Sequence, residues 1–398
     1  MAANPVLALL GRRLRLAVIG GGPGSFIGPV HRTAARLDDR FELVAGVLSS
    51  DPERSRAAAA AIGIPAERAY AGWAALLDGE RGRADGADAV AVMTPNGSHH
   101  AVCAAALERG FDVICDKPLA TSLADARDLV RRVRASGRIF CLTHNYTAYP
   151  MVRQARDLVR AGAIGPVRQI HLFYVQGHNA TLVEGPTPAE GAGEPGWRFD
   201  RTQCGPSLIL GDIGTHAHHL GAFVSGLELL EVMAEVWASV PGRTADDTAS
   251  VLMRWSEGAR GTMWVTNAAA GAEHGLGFRL FGAEGGLEWW QEQPNELRHR
   301  RLGGFEQLLT RRLHGALTPS AERAARIELG HPEGYQEAFA NLYKDVAEAI
   351  AARIAGRPCD PLALDFPTVE DGARGLAMIE ACVASAINAR WRNARLEL

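Results

Sequence analysis

The feature that most constrains this chain is a rhythm in its first third. Between Leu14 and about Tyr146, short apolar runs alternate with longer stretches of helical spacing. LRLAVIG, FELVAGVLS, GADAVAVMT, DVICD and RIFCLTHN are apolar at successive positions rather than at every second one. A strand of that kind is covered on both faces. Between these runs lie HRTAARLDD, DPERSRAAAAAIG, HHAVCAAALERG and SLADARDLVRRVRASG. The second of them carries a full set of helix signals: Asp51 as cap, Pro52 in the first turn and Gly63 at the end. Doubly covered strands separated by helices predict a doubly wound parallel sheet.

After Tyr146 the texture changes. PMVRQARDLVRAGAIG reads as a helix, and VRQIHLFYVQG, LEVMAEVWASV, TASVLMRW, ARGTMWVTNAA and GFRLFGAEGGLEWW as alternating strands. Alternation predicts a mainly antiparallel sheet with one open face. Two helices are expected near 335–354 and 367–390. Residues 177–207 form a Gly/Pro-rich excursion without a period, and loops of that length are usually functional or disordered. Residues 300–330 read as a basic, polar surface insert. The fold class is therefore α/β, with domains at 12–146 and 147–398.

Length and charge narrow the function. A chain of 398 residues suits two domains, and a net charge of −3 offers neither a basic stripe for nucleic acid nor an anchor for an anionic membrane. No run reaches the ~18 apolar residues of a membrane span. The twin arginine Arg12-Arg13 is followed at once by a strand, so residues 1–11 are expected to be a frayed tail rather than a signal. Cys103, Cys115, Cys141, Cys204, Cys359 and Cys382 are scattered without a C-x-x-C pair, which suggests reduced core thiols in a cytoplasmic protein.

Three stretches carry chemistry. The turn GGGPGSFIGPVH after the first strand sets Gly20, Gly21, Gly22, Gly24 and Gly28 where a dinucleotide's pyrophosphate would meet a helix N-terminus. Gly20 to Gly28 spans eight positions against the usual five, so the turn carries an insertion. At the end of the second strand Ser49 takes the place of the acid that contacts the ribose of NAD, and Arg54 follows one turn on. That pair leans to NADP.

The second stretch is DKPL. Lys117 ends a buried strand at the carboxyl edge of the sheet, where open α/β folds bind ligands, and can serve as hydrogen-bond or proton donor. The alternative is a structural lysine paired with Asp116. The third is GDIGTHAHHL, where Asp212 and His216, four apart, share a helix face. His218 and His219 point elsewhere and no cysteine or acid completes a ligand set, so no metal is expected.

Taken together these motifs resemble the Gfo/Idh/MocA oxidoreductases, nicotinamide-dependent enzymes acting mostly on sugars and cyclitols. The resemblance runs through the glycine turn ending Gly28-x-x-His31, TPNGSHH, DKPL in place of E-K-P, HNYTAYPMVRQAR and GDIGTHAHHL. It implies a Rossmann domain followed by an α+β domain whose open sheet makes a homodimer or homotetramer. It assigns Lys117, Asp212 and His216 to catalysis. It implies NAD(P) contacts from Gly20, Gly22, Gly24, Ser25, Phe26, Ile27, Ser49, Arg54, Thr94, Pro95, Asn96, His99, Asp116 and Lys117. Substrate contacts are expected from Asn145, Tyr146, Gln176, Trp197, Arg198 and His331.

The activity so implied is hydride transfer between nicotinamide and a secondary hydroxyl or ketone of a sugar, glycoside or cyclitol. Two alternatives share the fold: a glycosidase using NAD for transient oxidation, and a non-catalytic sugar sensor. The joint presence of Lys117, Asp212 and His216 argues against the sensor.

Overall fold

Five parallel strands form the first sheet: β1 (Leu14–Gly20), β2 (Phe41–Val47), β3 (Ala89–Met93), β4 (Asp112–Cys115) and β5 (Phe140–Leu142). Their order is β2-β1-β3-β4-β5, all parallel. β3, β4 and β5 are buried at every position, as strands covered on both faces must be. The direction of winding reverses between β1 and β3, which makes the end of β1 the topological switch point. The computed structural model describes residues 4–184, 196–311 and 317–398.

The chain divides into two units, Met1–Ala120 with Ala124–Ala148 and Tyr335–Glu370, and Thr121–Leu123 with Tyr149–Gly334 and Asp371–Leu398. Ala148 ends one segment of the first unit and Tyr149 opens the main segment of the second. Helix Tyr335–Ala355, far along the chain, returns to the first unit. Its buried stripe includes Phe339, Tyr343, Val346 and Ile350. The Phe339 ring lies 4.8 Å from that of His31, and the Tyr343 hydroxyl is 2.7 Å from His31 Nδ1. Chain order gives no hint of which sheet a terminal helix covers.

Residues Pro5–Leu10 form a helix rather than a frayed tail. Asn4 Oδ1 accepts from the Val6 and Leu7 N–H groups, Pro5 opens the first turn, and Gly11 closes it at φ +70°.

The second unit holds a nine-stranded sheet: β6 (Val167–Gln176), β7 (Leu229–Trp237), β8 (Thr248–Trp255), β9 (Arg260–Thr266), β10 (His274–Gly282), β11 (Gly285–Trp290), β12 (Glu296–Arg301), β13 (Glu306–Thr310) and β14 (Arg392–Asn393). The order is β13-β12-β11-β10-β6-β9-β8-β7-β14, antiparallel except for β6 with β9. Ile170, Leu172, Tyr174 and Gln176 alternate inward on β6. The opposite face leaves Leu252, Trp264 and Phe281 exposed.

Of the expected surface insert at 300–330, Glu306–Thr310 pairs within this sheet and Pro319–Ala324 is a helix. β12 and β13 pair, with Arg298 and Arg300 both bonded to Glu306. Cross-strand charge pairs support a polar strand that lacks an apolar pattern. Of the excursion 177–207, residues 185–195 lie outside the described residues. Gly196–Phe199 forms a short turn and Arg201–Cys204 a short helix.

Candidate active site

The glycine turn occupies the switch point of the first sheet. Gly20, Gly21 and Gly24 have φ of +88°, +66° and +83°. A Cβ on Gly22 would lie 1.8 Å from the Leu48 carbonyl oxygen, and one on Gly28 would lie 1.9 Å from that of Gly21. The inserted residues make a compact turn: the Ser25 N–H donates to the Gly22 carbonyl at 3.1 Å, and Ser25 Oγ takes the Gly28 N–H at 3.2 Å. Helix Ile27–Leu37 follows, and the Phe26 side chain caps nothing and stands 74% exposed. Beyond Gly24 there is open space. A turn with no room for side chains on its inner side, open outside and ending in a helix N-terminus suits a pyrophosphate.

At the end of β2 Asp51 caps helix Pro52–Ala61, its Oδ1 accepting from Arg54 N–H at 2.7 Å. Ser49 Oγ accepts from Asp51 N–H at 3.1 Å. The Arg54 side chain is exposed.

Lys117 is half-buried and precedes a cis peptide to Pro118. Its N–H donates to Asp116 Oδ1 at 2.9 Å, and that same oxygen accepts from Thr143 Oγ1 at 2.9 Å. Asp116 thus holds the lysine peptide to the end of β5. The chain has two lysines, Lys117 and Lys344, among 42 lysine and arginine residues. Arg and Lys differ in shape and proton chemistry.

His99 lies deep in the first unit. Its ring is 1% exposed, with Nδ1 2.7 Å from the Pro118 carbonyl and Nε2 2.9 Å from the Thr94 carbonyl. Both ring nitrogens face main-chain carbonyls, which braces the segments leaving β3 and β4. Thr94, Pro95 and Asn96 form the partly exposed turn before it, where Ser98 Oγ donates to Thr94 Oγ1 at 2.8 Å.

Asn145 is buried and its Nδ2 has no partner, an orphaned donor of the kind a ligand satisfies. Tyr146 is buried with its ring 6.0 Å from that of Tyr335, which suits a packing role.

In the second unit, Leu210–Gly214 is a widened helical turn in which Thr215 N–H reaches back five residues to the Leu210 carbonyl. Such turns recur at functional sites. Helix Thr215–Ser225 continues from it, so Asp212 and His216 follow one another along one continuous helical stretch. Arg198 Nη1 donates to Asp212 Oδ1 at 2.8 Å, and the guanidinium lies 5.0 Å from the Trp197 ring. The excursion therefore delivers its arginine to the carboxylate of the predicted pair.

Tyr174 stands 6.3 Å from the His216 ring, and its hydroxyl is 2.7 Å from His274 Nε2. Gln176 Nε2 is 2.9 Å from His274 Nδ1, and Gln176 Oε1 is buried without a partner. The sequence reading names Gln176 but misses Tyr174 and His274. Their signal is the inward alternation of β6 and the pairing of Gln176 with His274 across to β10. His331 is exposed in a turn, where its carbonyl accepts from Arg311, on no element that carries Asp212 or His216.

His218 lies stacked on Trp255, with centroids 6.0 Å apart and an angle of 17°, and burial pushes its pKa down to about 3. His219 is lowered for the same reason. Among the described residues no three His, Cys, Asp or Glu side chains group as metal ligands. The His218 shift has a consequence for stability. The unfolded ring takes a proton near pH 6.5 and the folded one near 3, so between those values the unfolded state binds more protons. His218 therefore withdraws stability as pH falls through that window. In His218→Phe the loss of stability between about pH 6.5 and 4 is shallower than in the native chain. Urea midpoints along that pH series measure it, and parallel curves would refute it.

Family models decide the relationship. Residues 14–144 match one described as an oxidoreductase family with an NAD-binding Rossmann fold, and 152–288 match the GFO/IDH/MocA C-terminal domain. The chain belongs to the Gfo/Idh/MocA oxidoreductase family. An uncharacterized oxidoreductase of Bacillus subtilis, YfiI, is 34% identical over 386 residues, covering 95% of this chain and 96% of that one. A solved oxidoreductase from Sinorhizobium meliloti is 43% identical with a TM-score of 0.85, covering 96% and 99%. An inositol dehydrogenase homolog from Azotobacter vinelandii, solved with NADH and myo-inositol, is 36% identical with a TM-score of 0.87, covering 96% and 98%. This Gfo/Idh/MocA chain is thus an oxidoreductase with an NAD-binding domain, from a family whose members act on sugars and cyclitols.

Proposed function

We propose that the chain transfers hydride between NAD(H) and a secondary hydroxyl or ketone of a cyclitol or sugar ring. The observation that carries this reading is the widened turn bearing Asp212, with Arg198 on its carboxylate, running straight into the helix that bears His216. His216 is the base that takes the hydroxyl proton as the carbon loses hydride, and Lys117 is a hydrogen-bond donor able to stabilise alkoxide character. Asp212, neutralised by Arg198, orients the ring alcohol. Nicotinamide, when bound, accepts the hydride or returns it. In the first unit Asn145 Nδ2, a buried donor, and in the second unit Gln176 Oε1, a buried acceptor, each lack a partner among the described residues and can each meet a ligand hydroxyl.

Two further points belong to this reading. The lean to NADP rests on Ser49 and Arg54, yet the same turn carries the carboxylates of Asp51 and Glu53, which repel a 2′-phosphate. The NADH complex of the Azotobacter relative also supports NAD. The exposed Leu252, Trp264 and Phe281 on the outer sheet face support a homo-oligomer formed through that face.

The test is formation of reduced nicotinamide from NAD or NADP with a panel of inositols, hexoses and glycosides. A cyclitol or sugar is expected to yield reduced cofactor, with NAD preferred over NADP by about tenfold or more in kcat/KM. Cleavage of a glycoside without net reduction would install the glycosidase reading. Binding of cofactor and sugar without turnover would install the sensor.

A further inference from the structure

We infer that His99 is a positioning residue for Lys117, an inference that rests on the catalytic role proposed for that lysine. His99 opens helix His99–Glu108 and is buried to 1% exposure. Its two ring nitrogens face two carbonyl oxygens, Pro118 at 2.7 Å and Thr94 at 2.9 Å. Thr94 directly follows β3, and Pro118 directly follows the lysine. One imidazole thus ties together the segments leaving two neighbouring strands.

A carbonyl oxygen only accepts, so the ring serves as donor here. Neutral imidazole holds one carbonyl through its single N–H, and protonated imidazole holds both. The other side of the lysine is tied as well, because the Lys117 N–H and Thr143 Oγ1 both donate to Asp116 Oδ1. Residue 116 is therefore fixed to the end of β5, and residue 118 to the first turn of the helix that follows β3. The amine sits on a long flexible stem. Its placement depends on the peptide that carries the stem, and an error of about 1 Å at a reacting group costs on the order of a hundredfold in rate. A buried histidine that bonds only main chain would ordinarily pass for packing. What sets His99 apart is which carbonyl it holds.

The composition supplies an unusually clean test. With Lys117 and Lys344 as the two lysines, lysine labelled at Cε in the full-length chain gives two resonances, assigned with Lys117→Ala. His99→Gln keeps one N–H donor at this position, and His99→Leu keeps bulk with none. The Lys117 resonance is expected to move in both variants, more in His99→Leu, while that of Lys344 stays. Turnover falls about tenfold in His99→Gln and roughly a hundredfold in His99→Leu, with the Kd for NADH within about twofold of the native value. A folded variant whose Lys117 resonance and kcat are unchanged overturns the inference. So does a variant that loses NADH affinity in proportion to turnover, which would make His99 a cofactor residue.

If His99→Leu does not fold, His99→Gln carries both readouts. The unaltered chain supplies a third: a slowly exchanging ring N–H on His99, where rapid exchange would contradict the strut. If Lys117→Ala keeps its turnover, the catalytic reading of Lys117 fails by itself, and the resonance shift still decides whether His99 places the amine.

Discussion

Lys117→Ala lowers kcat for oxidation of the ring alcohol by about 10²- to 10⁴-fold, while NADH binds within about threefold of the native Kd. The expectation follows from how the residue is mounted. Asp116 and His99 hold the peptides on either side of it to protein and leave the ammonium as the variable element. Lys117→Arg is expected to rescue little. A guanidinium keeps the charge but is planar, longer and unable to give up a proton. The chain itself makes the same distinction, using arginine at nearly every other basic position. Steady-state kinetics with the best substrate of the panel, beside fluorescence titration of NADH, measure both quantities. An Arg variant with native turnover would reduce the lysine to a charge. An Ala variant with native turnover would remove it from the mechanism.

Gly22→Ala is the second large effect, and it acts on the cofactor unit as a fold. The new Cβ would lie 1.8 Å from the Leu48 carbonyl oxygen, a main-chain atom with no rotamer to escape by. One of two segments must move, and both border the turn that receives the pyrophosphate. A loss of about 3 kcal/mol or more is expected, with a fall in Tm of roughly 6 °C or more and a marked loss of NADH affinity. Gly24→Ala is the internal comparison. Nothing lies within 4 Å of its Cβ, and only its φ of +83° is unfavourable. That costs about 1 kcal/mol. Thermal unfolding with and without NADH separates the two variants. Equal behaviour would mean that the turn yields where the coordinates leave no space.

Much of this was legible in the sequence because it rests on local rules. The five doubly apolar runs became five parallel strands, three of them buried throughout, and Asp51 with Pro52 and Gly63 delimited a helix, since capping and φ preference act within a few residues. The inward alternation of VRQIHLFYVQG likewise fixed the buried face of β6. β12 and β13 were missed because their apolar signal is weak and charge pairs take its place. Helix Tyr335–Ala355 was assigned to the wrong unit because an apolar stripe states that a partner exists, not which one.

The candidate site divides along the same line. The sequence by itself determined which chemistry is present: the glycines, the single lysine after β4, and the acid and histidine four apart. Tertiary structure alone decided what each polar group touches. It set both ring nitrogens of His99 against main-chain carbonyls, set Arg198 on Asp212, left Asn145 Nδ2 and Gln176 Oε1 without partners among the described residues, placed Tyr174 beside His216, and put His274 on the Tyr174 hydroxyl. The reason is physical. Backbone preferences are encoded by neighbours in sequence, whereas a buried polar atom is satisfied by whichever partner the packing of distant segments brings within about 3 Å.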